Sequence, residues 1–267
     1  MITTIPIKNE KDIAVPDNTV LVLGYFDGVH KGHQKLFEVA TKASMKDYLP
    51  VVVMTFTESP KLALQPYHPD LMLHIVNPQE REQKLKWHGV EELFLLDFSS
   101  KFASLTAQEF FDTYIKALKP AIIVAGFDYT FGSDKKTADD LKDYFDGEII
   151  IVPPVEDEKG KISSTRIRQA ILDGDVREAG HLLGTPLPSR GMVVHGNARG
   201  RTIGYPTANL VLRDRTYMPA DGVYVVDIEV QRQKYRGMAS VGKNVTFDGE
   251  EARFEVNIFD FSDDIYG

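Results

Sequence analysis

Two histidines, His30 and His33, stand three residues apart behind an apolar run and a glycine-flanked turn, in the stretch Leu21-Val22-Leu23-Gly24-Tyr25-Phe26-Asp27-Gly28-Val29-His30-Lys31-Gly32-His33. Paired imidazoles can donate hydrogen bonds to phosphate oxygens as charge builds in a transition state, without either being the attacking group. The run Val20 to Leu23 has the length and β-branched content of a buried strand, and Leu36, Phe37, Val39, Ala40 and Ala43 follow at helical spacing. The histidines therefore fall at a strand-to-helix junction. There the unpaired backbone N–H groups attract anions, and glycines let a ligand approach the main chain. A lone histidine would read as an ordinary residue of a first helical turn, but two behind such a turn point to a phosphate site.

Three further stretches carry chemistry. In Lys161-Ile162-Ser163-Ser164-Thr165-Arg166-Ile167-Arg168, hydroxyls ahead of an amphipathic helix provide N-cap groups, and two arginines flank Ile167, a phosphate clamp in outline. Taken alone, the same residues also read as a plain helix cap. Gly126-Phe127-Asp128-Tyr129-Thr130-Phe131-Gly132 is too aromatic for a solvent loop; its rings either wall a ring-binding pocket or fill core beneath a sheet. The segment from Gly196 to Asn209 holds Gly200, Arg201 and Gly204 and could form an anion nest, or a glycine-rich hairpin. It is not a Walker motif, because GxxxxGK[ST] is absent from the whole chain.

The stretch GYFDGVHKGH resembles the HxGH signature of the nucleotidyltransferase superfamily. In its GxFDGVHxGH form it resembles the adenylyltransferase module of prokaryotic bifunctional riboflavin kinase/FAD synthetases. GFDYTFG and ISSTRIR resemble the second and third conserved elements of that module, and GYPTANL resembles the PTAN motif of riboflavin kinases. The resemblance implies riboflavin, FMN and ATP as substrates and FAD, ADP and pyrophosphate as products. It implies His30 and His33 as the groups that stabilise charge at phosphorus. Gly24, Phe26, Asp27, Gly28, Gly32, Asp128, Ser163, Ser164, Thr165, Arg166 and Arg168 would hold nucleotide and phosphate, as would Gly200, Arg201 and Gly204 in the second module. Thr207 and Asn209 are implied as oxygen ligands of Mg²⁺, which needs few protein ligands, and Glu255 as the base that takes the 5′-hydroxyl proton of riboflavin. Relatives often carry Asn at the position of Asp128 and His at that of Asn257. Two narrower readings stay open: adenylyl transfer alone, and a flavin- or nucleotide-binding regulator without catalysis.

The elements that must position these residues read as two textures. The first half alternates strands (Val20 to Leu23, Val51 to Phe56, Leu93 to Asp97, Ala121 to Ala125, Glu148 to Val152) with helices (Gln34 to Lys46, Pro78 to His88, Ala107 to Lys119, Lys136 to Phe145). That is the pattern of a parallel sheet covered on both faces, whose ligands lie beyond the carboxyl ends of the strands. Pro78 suits a first helical turn, and Thr106 with Glu109 makes a capping box. After Thr55-Phe56-Thr57-Glu58-Ser59-Pro60, the Pro- and His-containing stretch to His74 reads as a long loop. Gly184-Thr185-Pro186-Leu187-Pro188 breaks helix and strand, and beyond it Ser189 to His195, Gly222 to Val230, Tyr235 to Val241 and Phe254 to Phe261 read as strands of a small antiparallel barrel. The expected fold is thus α/β: an open parallel-sheet, Rossmann-like nucleotidyltransferase domain over residues 1–184, then a small antiparallel β-barrel domain over 185–267. By the resemblance the second domain stops short of a further strand and helix at its C-terminus.

With 267 residues, 43% hydrophobic and 26% charged, the chain can bury a sizeable core, and its net charge of -8 gives no basic footprint for nucleic acid or an anionic membrane. It has no cysteine, which removes disulfides and cysteinyl metal sites. No apolar run approaches the roughly 18 residues needed to span a bilayer, so the expected location is the cytoplasm. The sequence leaves the oligomeric state open.

Overall fold

The computed structural model describes residues 3–7, 13, 18–196, 205–246 and 249–267. The chain divides into two compact units: residues 1–166 with 182–184, and residues 167–181 with 185–267.

The first unit is built on a six-stranded sheet, all of it parallel: β1 (Thr3–Ile7), β2 (Thr19–Leu23), β3 (Val51–Phe56), β4 (Glu92–Leu96), β5 (Pro120–Gly126) and, after the short hairpin β6 (Thr130–Phe131) and β7 (Lys136–Thr137), β8 (Glu148–Val152). The spatial order is β1-β4-β3-β2-β5-β8. Every residue of β2 is buried, which explains its unbroken apolar and β-branched run. Alternate residues feed two cores. Leu21, Leu23, Val52, Met54, Phe94 and Ile123 face one, with Phe111 and Ile115, while Val20, Val22, Val51, Val53, Leu93 and Val124 face the other, with Leu36, Phe37 and Ala40 of α1 (Lys31–Ser44).

The chain moves outward from β2 to β3 and β4, then crosses back to lay β5 on the other side of β2. The loops that leave the carboxyl ends of β2 and β5 are therefore neighbours at the point where the direction of winding reverses. These two loops carry His30 and Asp128.

The expected strands of this half all form, with ends shifted by at most a residue or so. The sequence reading passed over β1, a short edge strand interrupted by Pro6. Residues 57–74 hold two short helical turns, α2 (Lys61–Leu64) and a 3₁₀ turn at Pro69–Met72, rather than loop throughout. α3 (Pro78–Trp87) starts as expected, with Asn77 as its cap. α4 (Ser100–Ala103) precedes α5 (Ala107–Phe110), where Thr106 and Glu109 form the expected capping box; the helix then widens into a π turn (Phe111–Ile115) and tightens into a 3₁₀ turn ending at Leu118. The helix expected over Lys136 to Phe145 is a correction: β7 pairs with β6, and only Ala138–Asp143 winds, as a 3₁₀ helix capped by Thr137 and Asp140. After the hairpin β9 (Glu156–Asp157) and β10 (Gly160–Lys161) come α6 (Ser164–Leu172) and α7 (Val176–Leu183).

The second unit contains an antiparallel sheet of β11 (Gly191–Val194), β12 (Ala208–Leu212), β13 (Gly222–Val230), β14 (Gln233–Thr246) and β15 (Gly249–Ile258), in the order β11-β12-β15-β14-β13. Its inner face packs Ala239, Val241, Phe254 and Val256 with Leu210, Tyr224, Val226 and Ile228. β12 was not expected, because its short, mixed run Ala-Asn-Leu-Val-Leu begins inside the PTAN segment, at Ala208 and Asn209, which read as loop.

Candidate functional site

β2 ends in a loop whose backbone is forced. Phe26 and Val29 have positive φ of 59° and 48°, and Gly28 lies between them at 82°. Such conformations are costly for residues with a Cβ and persist only where the surroundings fix them. Several contacts do so. The buried Asp27 carboxylate accepts the backbone N–H of Ile75 at 2.9 Å. The amide of Gln34 donates to the carbonyls of Val29 and Leu183, both at 2.9 Å. The buried Arg81 guanidinium donates to the carbonyl of Phe56 at 2.9 Å and to that of Tyr25 at 3.5 Å, tying the ends of β2 and β3 together.

His30 caps α1: its Nδ1 accepts the backbone N–H of His33 at 3.3 Å. The two rings stack with centroids 3.6 Å apart, and Phe26 meets His33 edge-on at 5.3 Å. Burial lowers the pKa of His30 to about 4, against a partial opposing pull from Asp27. Burial, the neighbouring His30 and the Lys161 ammonium hold His33 well below its ordinary value as well. Both imidazoles are therefore neutral near pH 7 and act as hydrogen-bonding groups rather than charges. Gly32 is where bulk is excluded: a Cβ there would sit 3.0 Å from His30 Cε1 and 3.5 Å from the carbonyl oxygen of Ile162.

Ile162 leads into the downstream segment. Ser164 Oγ donates to the Asp27 carbonyl at 3.2 Å, and Ser163 Oγ accepts the Arg166 backbone N–H at 3.3 Å, capping α6. The Ser164 hydroxyl, from over a hundred positions downstream, thus lies against the histidine loop, with Thr165 exposed beside it. Arg166 is already engaged: its guanidinium grips both oxygens of Asp157 at 2.7 Å and reaches the Gly160 carbonyl. Arg168 belongs to the second unit, where its guanidinium lies 6.0 Å from the ring centre of Tyr217.

The aromatic loop after β5 divides. Phe131 is buried and Tyr129 packs on the same core, so those two rings are filler; Phe127 is 42% exposed at the strand end. Asp128 is exposed and pairs with Lys161 Nζ at 2.5 Å. Sequence reasoning had not singled out Lys161. The signal available was its place directly ahead of the Ile-Ser-Ser-Thr run.

In the second unit β12 and β15 set Asn209 directly opposite Glu255. The Asn257 amide donates to the Pro206 carbonyl at 2.8 Å, fastening β15 to the PTAN segment that carries Thr207. Glu255 Oε1 takes two N–H groups of Arg253, Nε at 2.8 Å and Nη2. Thr207 and Asn209 offer a hydroxyl and an amide oxygen, a hard-oxygen set that fits Mg²⁺. No group of three or more His, Asp or Glu side chains among the described residues could hold a metal ion. Gly200, Arg201 and Gly204 lie outside the described residues. No helix among the described residues is long and apolar enough to cross a membrane.

Residues 12–166 match the FAD synthetase family model, and residues 183–267 match that of riboflavin kinase. The bifunctional riboflavin kinase/FMN adenylyltransferase of Listeria monocytogenes is 39% identical over 254 residues, 94% of this chain and 81% of that protein. The protein of the same description from Bacillus subtilis is 39% identical over 257 residues, 93% of this chain and 80% of that one. A crystal structure described as a macrolide-efflux protein from Streptococcus pneumoniae is 83% identical, with a TM-score of 0.97 over 99% of this chain and 87% of that one. A histidine pair at the switch point of a parallel sheet, an antiparallel sheet that sets Asn209 against Glu255, and relatives matched along nearly the whole length have one explanation in common: the chain belongs to the bifunctional riboflavin kinase/FMN adenylyltransferase family.

Proposed function

We propose that the chain performs two consecutive steps of flavin cofactor synthesis, with residues 185–267 moving the ATP γ-phosphate to riboflavin and residues 1–184 joining the product FMN to AMP from a second ATP. In the first step Glu255 takes the proton of the riboflavin 5′-hydroxyl as it attacks, giving FMN and ADP. Gly200, Arg201 and Gly204 would hold the phosphates. Mg²⁺, when bound by Thr207 and Asn209, supplies charge neutralisation at the phosphates.

In the second step the FMN phosphate is its own nucleophile, so no covalent enzyme intermediate is needed. His30 and His33 donate hydrogen bonds to the charge that develops at phosphorus. The loop of Gly24, Phe26, Asp27, Gly28 and Gly32 supplies close backbone approach. Asp128, Ser163, Ser164, Thr165 and Arg166 border the nucleotide and flavin phosphates. The cytoplasm, where ATP is plentiful, is the expected compartment.

The observation that carries the reading is the 3.2 Å bond from Ser164 to the Asp27 carbonyl, which ties the hydroxyl segment to the histidine loop. The test is to incubate the chain with riboflavin, Mg²⁺ and ATP, and separately with FMN, Mg²⁺ and ATP, and to separate the products. FMN from the first mixture excludes a version limited to adenylyl transfer. A His30→Ala, His33→Ala variant with unchanged FAD output overturns the assignment of the first site.

A further inference from the structure

We propose that Lys161 is a further catalytic residue of adenylyl transfer, an ammonium parked on Asp128 that exchanges this carboxylate for the phosphates of the incoming nucleotide. The inference rests on the adenylyltransferase reading of the first unit.

Placement comes first. Lys161 ends β10, one residue before Ile162, whose carbonyl oxygen would lie 3.5 Å from a Cβ on Gly32, and two before the Ser163 cap of α6. It is the last side chain of the hairpin before the chain docks on the histidine loop. Its Nζ lies 2.5 Å from Asp128 Oδ2 and 4.4 Å from the ring centre of Phe127, at the carboxyl end of β5. Lysine and aspartate remain 40% and 59% exposed. An ion pair so open to water adds little stability, so giving it up costs little, and a phosphate oxygen can take the place of the carboxylate oxygen.

Charge comes next. The two histidines stack against each other and are neutral, so they can direct N–H groups at phosphate but bring no positive charge. The Arg166 guanidinium is committed to Asp157 through both of its terminal nitrogens. The Lys161 ammonium acts on both imidazoles, lowering the pKa of each. A flexible four-carbon stem and a compact charge suit a group that must move to its partner.

In the step itself an FMN phosphate oxygen attacks the ATP α-phosphorus. A new P–O bond forms, and the bond from that phosphorus to the bridging oxygen breaks. Its electron pair leaves on pyrophosphate. Lys161 keeps its protons and donates hydrogen bonds to the oxygens on which negative charge accumulates.

The test uses the whole chain, with Lys161→Met to keep the stem and remove the charge, and Lys161→Arg to restore charge. FAD formation from FMN and ATP is measured beside FMN formation from riboflavin and ATP, the second reaction serving as an internal check of folding. For Lys161→Met the expected result is a fall in kcat for FAD formation of about 10²-fold, riboflavin phosphorylation held within about twofold, and recovery of at least about tenfold of the loss in Lys161→Arg. A Met variant that makes FAD as fast as the unsubstituted chain overturns the proposal alone, as does a parallel fall of both reactions in both variants. An unsubstituted chain that makes no FAD from FMN overturns the reading of the first unit and this proposal with it.

Discussion

The imidazoles of His30 and His33 stack nearly parallel, their planes 18° apart and their centroids 3.6 Å apart. Protonating either ring places charge in a buried stack, which is why burial is the leading cause of the low pKa at both. In the unfolded chain each titrates near 6.5. Between that value and about 4 the unfolded state binds a proton that folded His30 does not, so stability rises with pH across this window and is lost as the pH falls. The contribution of His30 is about 3 kcal/mol at most. Urea midpoints measured from pH 4 to pH 7 should climb, and His30→Gln should flatten part of the slope.

Gly32→Ala should damage one reaction and spare the other. The added methyl would sit 3.0 Å from His30 Cε1 and 3.1 Å from Nδ1, so the ring must shift by a few tenths of an ångström. A roughly tenfold loss of FAD formation is expected, because small misplacements of a group at the reacting centre are costly. Steady-state assays of both reactions check this, riboflavin phosphorylation remaining at its original rate.

Asp157→Asn should cost about 1–3 kcal/mol of stability. Arg166 grips Asp157 through two bonds of 2.7 Å, with both side chains about one-fifth exposed, and the substitution leaves a guanidinium without its carboxylate. Chemical unfolding measures the loss. Arg166→Lys should also destabilise, since an ammonium cannot reproduce the two-pronged grip.

Glu255→Gln should stop FMN formation from riboflavin while FAD formation from supplied FMN continues. The amide cannot take the hydroxyl proton, yet it keeps the shape of the side chain opposite Asn209. Chromatography of the two reaction mixtures gives the answer. Equal FMN output from the variant would remove Glu255 from its role as base.

Much of this was legible because the signals were strong and local. The unbroken apolar run of β2 reads as a buried strand, and Thr106 with Glu109, and Pro78, mark helix starts that the structure bears out. The order of motifs along the chain located the histidine loop and its serine partners. What the sequence hid was decided by tertiary contact. Pro6 disguised an edge strand that needs β4 beside it. Lys136 and Thr137 pair with β6 instead of winding, and propensity alone does not show a two-residue hairpin. Lys161 was overlooked because an isolated lysine has no pattern; only the fold of β10 beside Asp128 gives it a role. The engagement of Arg166 by Asp157 was invisible for the same reason, the two meeting across a hairpin turn.

Gln34 spans the carbonyls of Val29 and Leu183, the second of them 149 positions further along the chain. During synthesis, then, the loop bearing the imidazoles waits for most of the first unit to emerge from the ribosome before its last anchor arrives. A nascent chain that halts short of Leu183 would carry every motif of the adenylyl-transferring site and still lack the clasp beneath it.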